Sequence, residues 1–320
     1  MDALCEKALP KVVAIGGPTA TGKTALSVAL AQHFDGEVIS ADSMQIYHGL
    51  DVGTAKVTPQ ECQGVPHHLV DILDPETPFS VADFVSAADA RIRSITAAGR
   101  LPLVVGGTGL YITSLLNGMD FAPEKGDPAI RQKLEQQAEA EGKEALYREL
   151  QAIDPEYAAT VHPNNLPRVI RALELYRNTG RLMSEQRRQA RRSEPPYRSL
   201  CLCLGYRDRD LLYRRIDERV DRMRDSGILD EARMVYDHRD TYRTAAQAIG
   251  YKEFFPYFDG AQSLDACLDR LKQASRNYAK RQLTWFRHQQ DAVWLDVDDT
   301  ENGTVLQRAE TLIADFLDHE

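Results

Sequence analysis

The chain has 320 residues, 43% hydrophobic and 27% charged, with a formal net charge of −9; that length predicts two domains, or one large α/β domain carrying an insertion. No run of 18 apolar residues occurs, which excludes a membrane-spanning helix, and the acidic balance argues against wrapping by nucleic acid over the whole surface. Cys5, Cys62, Cys201, Cys203 and Cys267 form no C-x-x-C pair and the first residues lack a secretory layout, so zinc and a disulfide framework are excluded and a cytoplasmic location is expected.

The first predicted element is the strand Lys11–Ile15, a buried apolar run. It leads into Gly17-Pro18-Thr19-Ala20-Thr21-Gly22-Lys23-Thr24, which fits G-x-x-x-x-G-K-[ST], and then into the helix formers Ala25–Ala31. Between a strand and a helix this pattern is a phosphate-cradling P-loop. Backbone N–H groups of the loop and helix start would face a diphosphate, Lys23 would add a positive charge, and the Thr24 hydroxyl would hold Mg²⁺. A phosphorylated ligand is expected, with ATP among the candidates.

Glu37–Ile39 predicts the second strand, followed by Ser40-Ala41-Asp42-Ser43-Met44-Gln45. Leu69–Leu73 and Leu101–Val105 predict two more, with a helix over Val81–Ala97 between them. The Leu101–Val105 strand ends in Gly106-Gly107-Thr108-Gly109, without the Asp that often helps to hold Mg²⁺. The nearest carboxylate is Asp42. Because strand C-termini of an open parallel sheet meet at one crevice, Asp42 reads as a base or the partner of a metal-bound water; it also suits a turn or an N-cap. Ser43 and Gln45 add hydrogen-bonding groups suited to a polar ring. His67 and His68 point to opposite sides of a strand, which favours structural roles.

Residues 121–198 differ in texture: Asp127-Pro128 predicts an N-cap with Pro at N1, Gly180 a helix stop, and Pro195-Pro196 the end of the segment. They are expected to form a helical insertion between a first core part (1–120) and a second (199–320), the latter holding strands Ser199–Leu204 and Val293–Val297. The fold class is α/β, a P-loop doubly wound, mostly parallel sheet with a helical insertion domain. From Asn165 to Arg198 nine Arg face three Glu, an excess of +6 that leaves −15 on the remaining residues. This is either a grip for an acidic partner or a solvated helical face. Farther on, Leu212, Ile216, Val220 and Met223 form a core stripe beside Arg215, Arg219 and Arg222. These arginines either pair on the surface with Asp217, Glu218 and Asp221 or reach inward to a phosphate. Trp285 and Tyr251 either stack on bases or pack in the core.

Taken in order, several blocks resemble the tRNA dimethylallyltransferases (tRNA isopentenyltransferases). They are the P-loop itself, Ser40–Tyr47, Asp51-Val52-Gly53-Thr54-Ala55-Lys56, Pro66-His67-His68-Leu69, Gly106-Gly107-Thr108-Gly109-Leu110-Tyr111, Pro167–Glu174, Ile249-Gly250-Tyr251-Lys252-Glu253 and Lys280–Phe286. They span nearly the whole chain, and no zinc-finger extension follows them, so the bacterial form is expected. The resemblance implies transfer of a dimethylallyl group from dimethylallyl diphosphate to N6 of the adenine 3′-adjacent to the anticodon. It implies Thr19 at the bridging oxygen, Arg219 on the diphosphate, Asp42 as base, and Mg²⁺ on Thr24. It also implies that Asp42, Ser43, Met44, Gln45 and Thr108 line a channel for a flipped adenine. Leu166, Pro167, Arg168, Val169, Ile170 and Gln247, Ala248, Ile249, Gly250, Tyr251, Lys252 would meet the tRNA anticodon stem-loop from outside. A monomer is the default. The rival reading is a small-molecule kinase using ATP, which would not need the RNA-facing blocks; a non-catalytic RNA-binding nucleotide sensor is a third.

Overall fold

The computed structural model describes residues 9–119, 127–189, 194–289, 291–299 and 304–319; Cys5, Arg191 and Arg192 lie outside them. The chain divides into two compact units, Met1–Leu116 with Pro195–Glu320, and Asn117–Glu194. The second unit thus begins and ends a few residues earlier than the 121–198 read from sequence.

In chain order the first unit contains β1 (Lys11–Gly16), α1 (Lys23–His33), β2 (Gly36–Ser40), α2 (Pro59–Cys62), β3 (His67–His68), α3 (Val81–Ala97), β4 (Leu101–Val105) and α4 (Gly109–Leu116). The second unit contributes α5 (Pro128–Glu141), α6 (Lys143–Ile153), α7 (Pro155–Ala158), α8 (Leu166–Thr179) and α9 (Met183–Gln189). The first unit resumes with β5 (Arg198–Gly205), α10 (Arg209–Asp225), α11 (Ile228–Asp237), α12 (Phe255–Phe258), α13 (Leu264–Arg287), β6 (Ala292–Asp296) and α14 (Val305–Asp318).

The described strands form one parallel sheet in the order β3-β2-β4-β1-β5-β6. Both faces are covered, so strands such as β1 and β4 are continuous apolar runs whose successive side chains point to opposite faces. Val12, Ala14, Ile39 and Val104 point to the face held by Phe84, Ala88 and Ile92 of α3 and by Phe286 of α13. Val13, Ile15, Val38 and Leu103 point to the other, packed by Leu26, Val28 and Leu30 of α1 and Ala309 and Ile313 of α14. α3 starts where expected because Ser80 and Asp83 form a capping box.

The strand expected over Leu69–Leu73 does not form. Leu69 and Asp71 take positive φ of 59° and 56°, and only Leu73 makes a bridge, to Tyr47. The third strand is the two-residue His67–His68 just before it. His68 has a structural partner, its Nε2 meeting Glu37 Oε2 at 2.6 Å; His67 Nδ1 donates to the Val65 carbonyl at 2.9 Å, while its Nε2 is buried without a partner among the described residues. No helix of the described residues is long and apolar enough to cross a membrane.

The second unit packs Leu134, Leu146, Leu150, Tyr157, Val169, Ile170 and Leu173 into its own core. Its 13 acidic and 13 basic residues balance. The basic stretch found by counting along the chain is therefore answered by acidic residues of the same unit, five of its ten glutamates lying on α5 and α6. Arg177 of α8 grips Glu149 at 2.7 and 2.9 Å, Arg188 meets Glu156 at 2.5 Å, and Arg171 meets Glu174 at 3.1 Å.

Candidate active site

At the carboxyl end of β1 the chain leaves the sheet through the Gly17–Thr24 loop. Gly17 holds φ of 136°, and a Cβ there would stand 2.5 Å from the Leu204 carbonyl oxygen of β5. Only glycine fits, since the turn passes directly over the neighbouring strand's backbone. Inside the loop Thr21, nearly fully buried, donates to the Pro18 carbonyl at 2.9 Å, and Lys23 Nζ donates to the same oxygen at 2.6 Å. Gly22 caps α1 in the left-handed conformation, so the first N–H groups of α1 open onto the crevice.

The loop lines a cavity of about 1190 Å³ in the first unit. That volume exceeds the upper range of ordinary small-molecule sites, roughly 1,000 Å³, and suits a diphosphate ester together with a base. Of the residues read from sequence, Thr19, Ala20, Thr21, Gly22, Lys23 and Thr24 wall it on one side. Asp42, Ser43, Met44 and Gln45 wall a second, Arg219 of α10 a third, and Gln247, Ala248, Ile249, Gly250 and Lys252 a fourth. Gly17, Pro18, Thr108 and Tyr251 are not in the wall.

Asp42 takes up the turn reading and also stands among the charges of the cavity. Its Oδ1 accepts from the Met44 and Gln45 backbone N–H groups at 2.8 and 3.3 Å, an Asx turn that aims the segment. Its charge also acts on Lys23 and Arg219. Burial pushes the Lys23 amine down to about 7, helped by the nearby Arg219 guanidinium and opposed by Asp42. Burial likewise holds Arg219 below its ordinary value, again opposed by Asp42. Two cations and one carboxylate thus share a cavity in which each feels the others.

The surface-lattice reading of α10 holds only in part, for Arg215, because Arg215, Arg219 and Arg222 all line the cavity. Arg215 pairs with Glu218 at 3.4 Å, while Asp217 and Asp221 are taken by Arg276 and Lys272 of α13. Arg219 turns into the cavity.

Other expectations need correction. The Gln45 amide is fully employed within the protein: its Oε1 accepts from Ser40 Oγ at 3.0 Å, and its Nε2 reaches the Thr54 and Ala55 carbonyls at 3.3 and 3.2 Å. It braces the 51–58 loop rather than offering free groups to a ring. Thr108 braces too, accepting from the Ser43 N–H at 3.3 Å. Tyr251 is completely buried, and its hydroxyl donates to Glu231 Oε1 at 2.6 Å, so its ring meets no RNA from outside. Glu231 also accepts from the N–H groups of Asp51, Val52 and Gly53 at 2.8, 2.8 and 2.9 Å, tying the two walls together. Val169 and Ile170 sit in the second unit's core, leaving Arg168 and Pro167 exposed and Leu166 half-buried. Trp285 packs over Gly109 and donates to Thr113 Oγ1 at 3.0 Å, a core role.

Sequence reasoning missed two wall residues of α13, Tyr278 and Gln282. The Tyr278 phenol faces Asp42, Thr108 and Arg281, and burial raises it to about 12. Both lie in or next to the Lys280–Phe286 block, whose only signal was its resemblance. Among the described residues no three His, Cys, Asp or Glu side chains gather into a metal-binding cluster.

The chain matches the model of the IPP transferase family over residues 45–289 and that of isopentenyl transferases over residues 10–72. It is 52% identical to a tRNA dimethylallyltransferase of Geobacillus thermodenitrificans, over 92% of this chain and 93% of that protein. It is 50% identical to one of Bacillus subtilis, over 89% and 90%. Among solved structures it is similar to the tRNA isopentenylpyrophosphate transferase of Bacillus halodurans, with TM-score 0.71, 45% identity and coverage of 96% and 97%. A eukaryotic dimethylallyltransferase acting on tRNA gives TM-score 0.81 at 32% identity, over 96% of this chain and 79% of that one.

Proposed function

The chain belongs to the tRNA dimethylallyltransferase family, and from that premise we propose how its own residues carry out the transfer. A dimethylallyl group moves from dimethylallyl diphosphate to N6 of the adenine 3′-adjacent to the anticodon, and diphosphate departs. The observation that carries this reading is the meeting of the P-loop residues Thr19–Thr24, Asp42 and Arg219 in one cavity walled also by Gln247–Gly250 and Lys252. The names of the relatives favour a transferase over the kinase alternative.

Negative charge grows on the diphosphate as the allylic C–O bond breaks. The loop N–H groups, Lys23 and Arg219 stabilise it there, in a site where charges interact more strongly than in water. A ligand anion favours the ammonium form of Lys23, whose amine burial and the nearby Arg219 together lower to about 7. Thr19 stands at the bridging oxygen. Asp42, kept in place by its Asx turn, takes the proton released from N6 as the new C–N bond forms. Asp42, Ser43 and Met44 border the adenine, which enters flipped from the anticodon loop.

The donor set fits Mg²⁺ held largely by substrate oxygens and water: Thr24 offers one hydroxyl at the cavity wall and Asp42 the near carboxylate. When bound, the ion would offset diphosphate charge. ATP enters the same loop only as a competitor. Arg168, Pro167 and Leu166, with Gln247, Ala248, Ile249, Gly250 and Lys252, meet the anticodon stem-loop. The working form is a monomer in the cytoplasm.

The test is incubation of pure protein with unmodified tRNA and Mg²⁺, using dimethylallyl diphosphate in one tube and ATP in another. An adenosine heavier by one dimethylallyl group, found only in the first after digestion and mass spectrometry, supports the transferase. Unmodified adenosine with ATP consumed would overturn it.

A further inference from the structure

We propose that Gln282 is a positioning residue for the transfer, acting on the leaving oxygen through Thr19. The proposal rests on the reading that Thr19 serves that oxygen. Gln282 lies on α13, with only 6% of its surface exposed. Its Oε1 accepts from the Thr19 backbone N–H at 3.1 Å, and its Nε2 donates to the Gly107 carbonyl at 2.9 Å. The amide therefore pins the P-loop to the loop that follows β4. A Cβ on Gly107 would stand 2.2 Å from that Nε2, so the bare backbone of Gly107 is what admits the amide.

One partner is a donor and the other an acceptor. An amide satisfies both without adding charge beside Lys23, which neither a carboxylate nor an amine can do. The helix that presents it is fixed one turn farther on, where Phe286 packs against Gly16 at the end of β1 and Trp285 against Gly109 at the start of α4. Spending the Thr19 N–H on Gln282 removes it from the anion cradle. What Thr19, a cavity residue, keeps for a ligand is its hydroxyl, which is buried and without a partner among the described residues. A buried hydroxyl left unmade is costly unless a ligand oxygen completes it.

The experiment is a double-mutant cycle on the full chain with Q282L, T19A and the pair. It measures kcat for dimethylallyl transfer, KM for tRNA, and the dissociation constant for inorganic pyrophosphate by calorimetry. Q282L is expected to lower kcat roughly 10- to 100-fold, the scale of a small misplacement at a reacting centre, with pyrophosphate affinity and tRNA KM within about threefold. In the T19A background the same change should cost less than about threefold, because the two act as one unit. Hydrogen exchange of the P-loop peptide should quicken in Q282L as the Thr19 amide is released. Equal cost in both backgrounds, or unchanged kcat, overturns the proposal. Q282M, a flexible side chain of similar length that also lacks both bonds, carries the same measurements if Q282L does not fold. A wild-type protein that binds pyrophosphate yet transfers nothing to tRNA would instead defeat the functional reading, while the exchange measurement would still report on the Gln282 contact.

Discussion

The P-loop end of the sheet and the helical unit of residues 117–194 both showed themselves in sequence as local patterns, yet they differ in how far each pattern survives folding. The Gly17–Thr24 motif describes backbone geometry, and the turn it predicts between β1 and α1 is present, with a glycine at φ 136° where a Cβ would stand 2.5 Å from a neighbouring strand's carbonyl oxygen. The basic stretch from Asn165 to Arg198 describes only charge. Folding brings Glu149 and Glu156 against two of its arginines, and the whole unit is neutral. A motif that encodes a shape is a statement about the site. A motif that encodes a charge must wait for its partners.

That contrast is sharpened most by Asp42. D42N retains the Asx turn's acceptor oxygen but has no base, so kcat should fall on the order of 10²- to 10⁴-fold, with tRNA affinity nearly unchanged in a filter-binding assay. The next largest effect concerns Lys23. With its amine held at about 7, the free enzyme loses this charge as pH rises through neutrality. Pyrophosphate affinity relative to K23M should therefore drop roughly tenfold between about pH 6 and pH 8; a pH-independent ratio would remove Lys23 from the cradle. The linked stability effect has the opposite direction. Between about 7 and 10.5 the unfolded chain binds more protons at this amine than the folded one, so this group's term makes folding more favourable as pH rises.

Effects in the helical unit should be smaller and should divide its arginines. R168E, at an exposed position with no acidic partner among the described residues, should raise tRNA KM several-fold and flatten its salt dependence by about one phosphate contact. R177A removes a bidentate pair with Glu149. It should cost about 1 kcal/mol or less in thermal unfolding and leave the salt slope as it was. An equal salt response from both would mean that the ion pairs do not hold Arg177 back from RNA.

Much of the sheet was legible because both of its faces are buried, giving the apolar runs of β1, β2, β4 and β5 with their clear limits. Leu69–Leu73 misled for the same reason: it is apolar, but positive φ at Leu69 and Asp71 breaks the strand. No local signal encodes a left-handed leucine. At the site, the end of a strand brought Asp42 to the crevice, whereas the helical stripe left three arginines open and the resemblance alone singled out Arg219. The duty of Gln282 could not be read from sequence, because it is set by a backbone group 263 residues away, the Thr19 N–H, and that of Gln45 could not, because it depends on how the 51–58 loop folds back onto it. The glycines after β4 looked like a missing carboxylate. They are instead the clearance that lets α13 pack against the sheet, with Gln282 on Gly107 and Trp285 on Gly109.

The central claim is that chemistry belongs to the sheet end and grip to the helical unit. It is tested most directly by single-turnover transfer from dimethylallyl diphosphate to tRNA at increasing enzyme concentration, comparing D42N with R168E. The account expects D42N to remain at least about 100-fold slow at saturation, while R168E climbs to the wild-type rate once enough enzyme is present. A D42N rate near wild type, or an R168E rate that stays low at saturation, would contradict it.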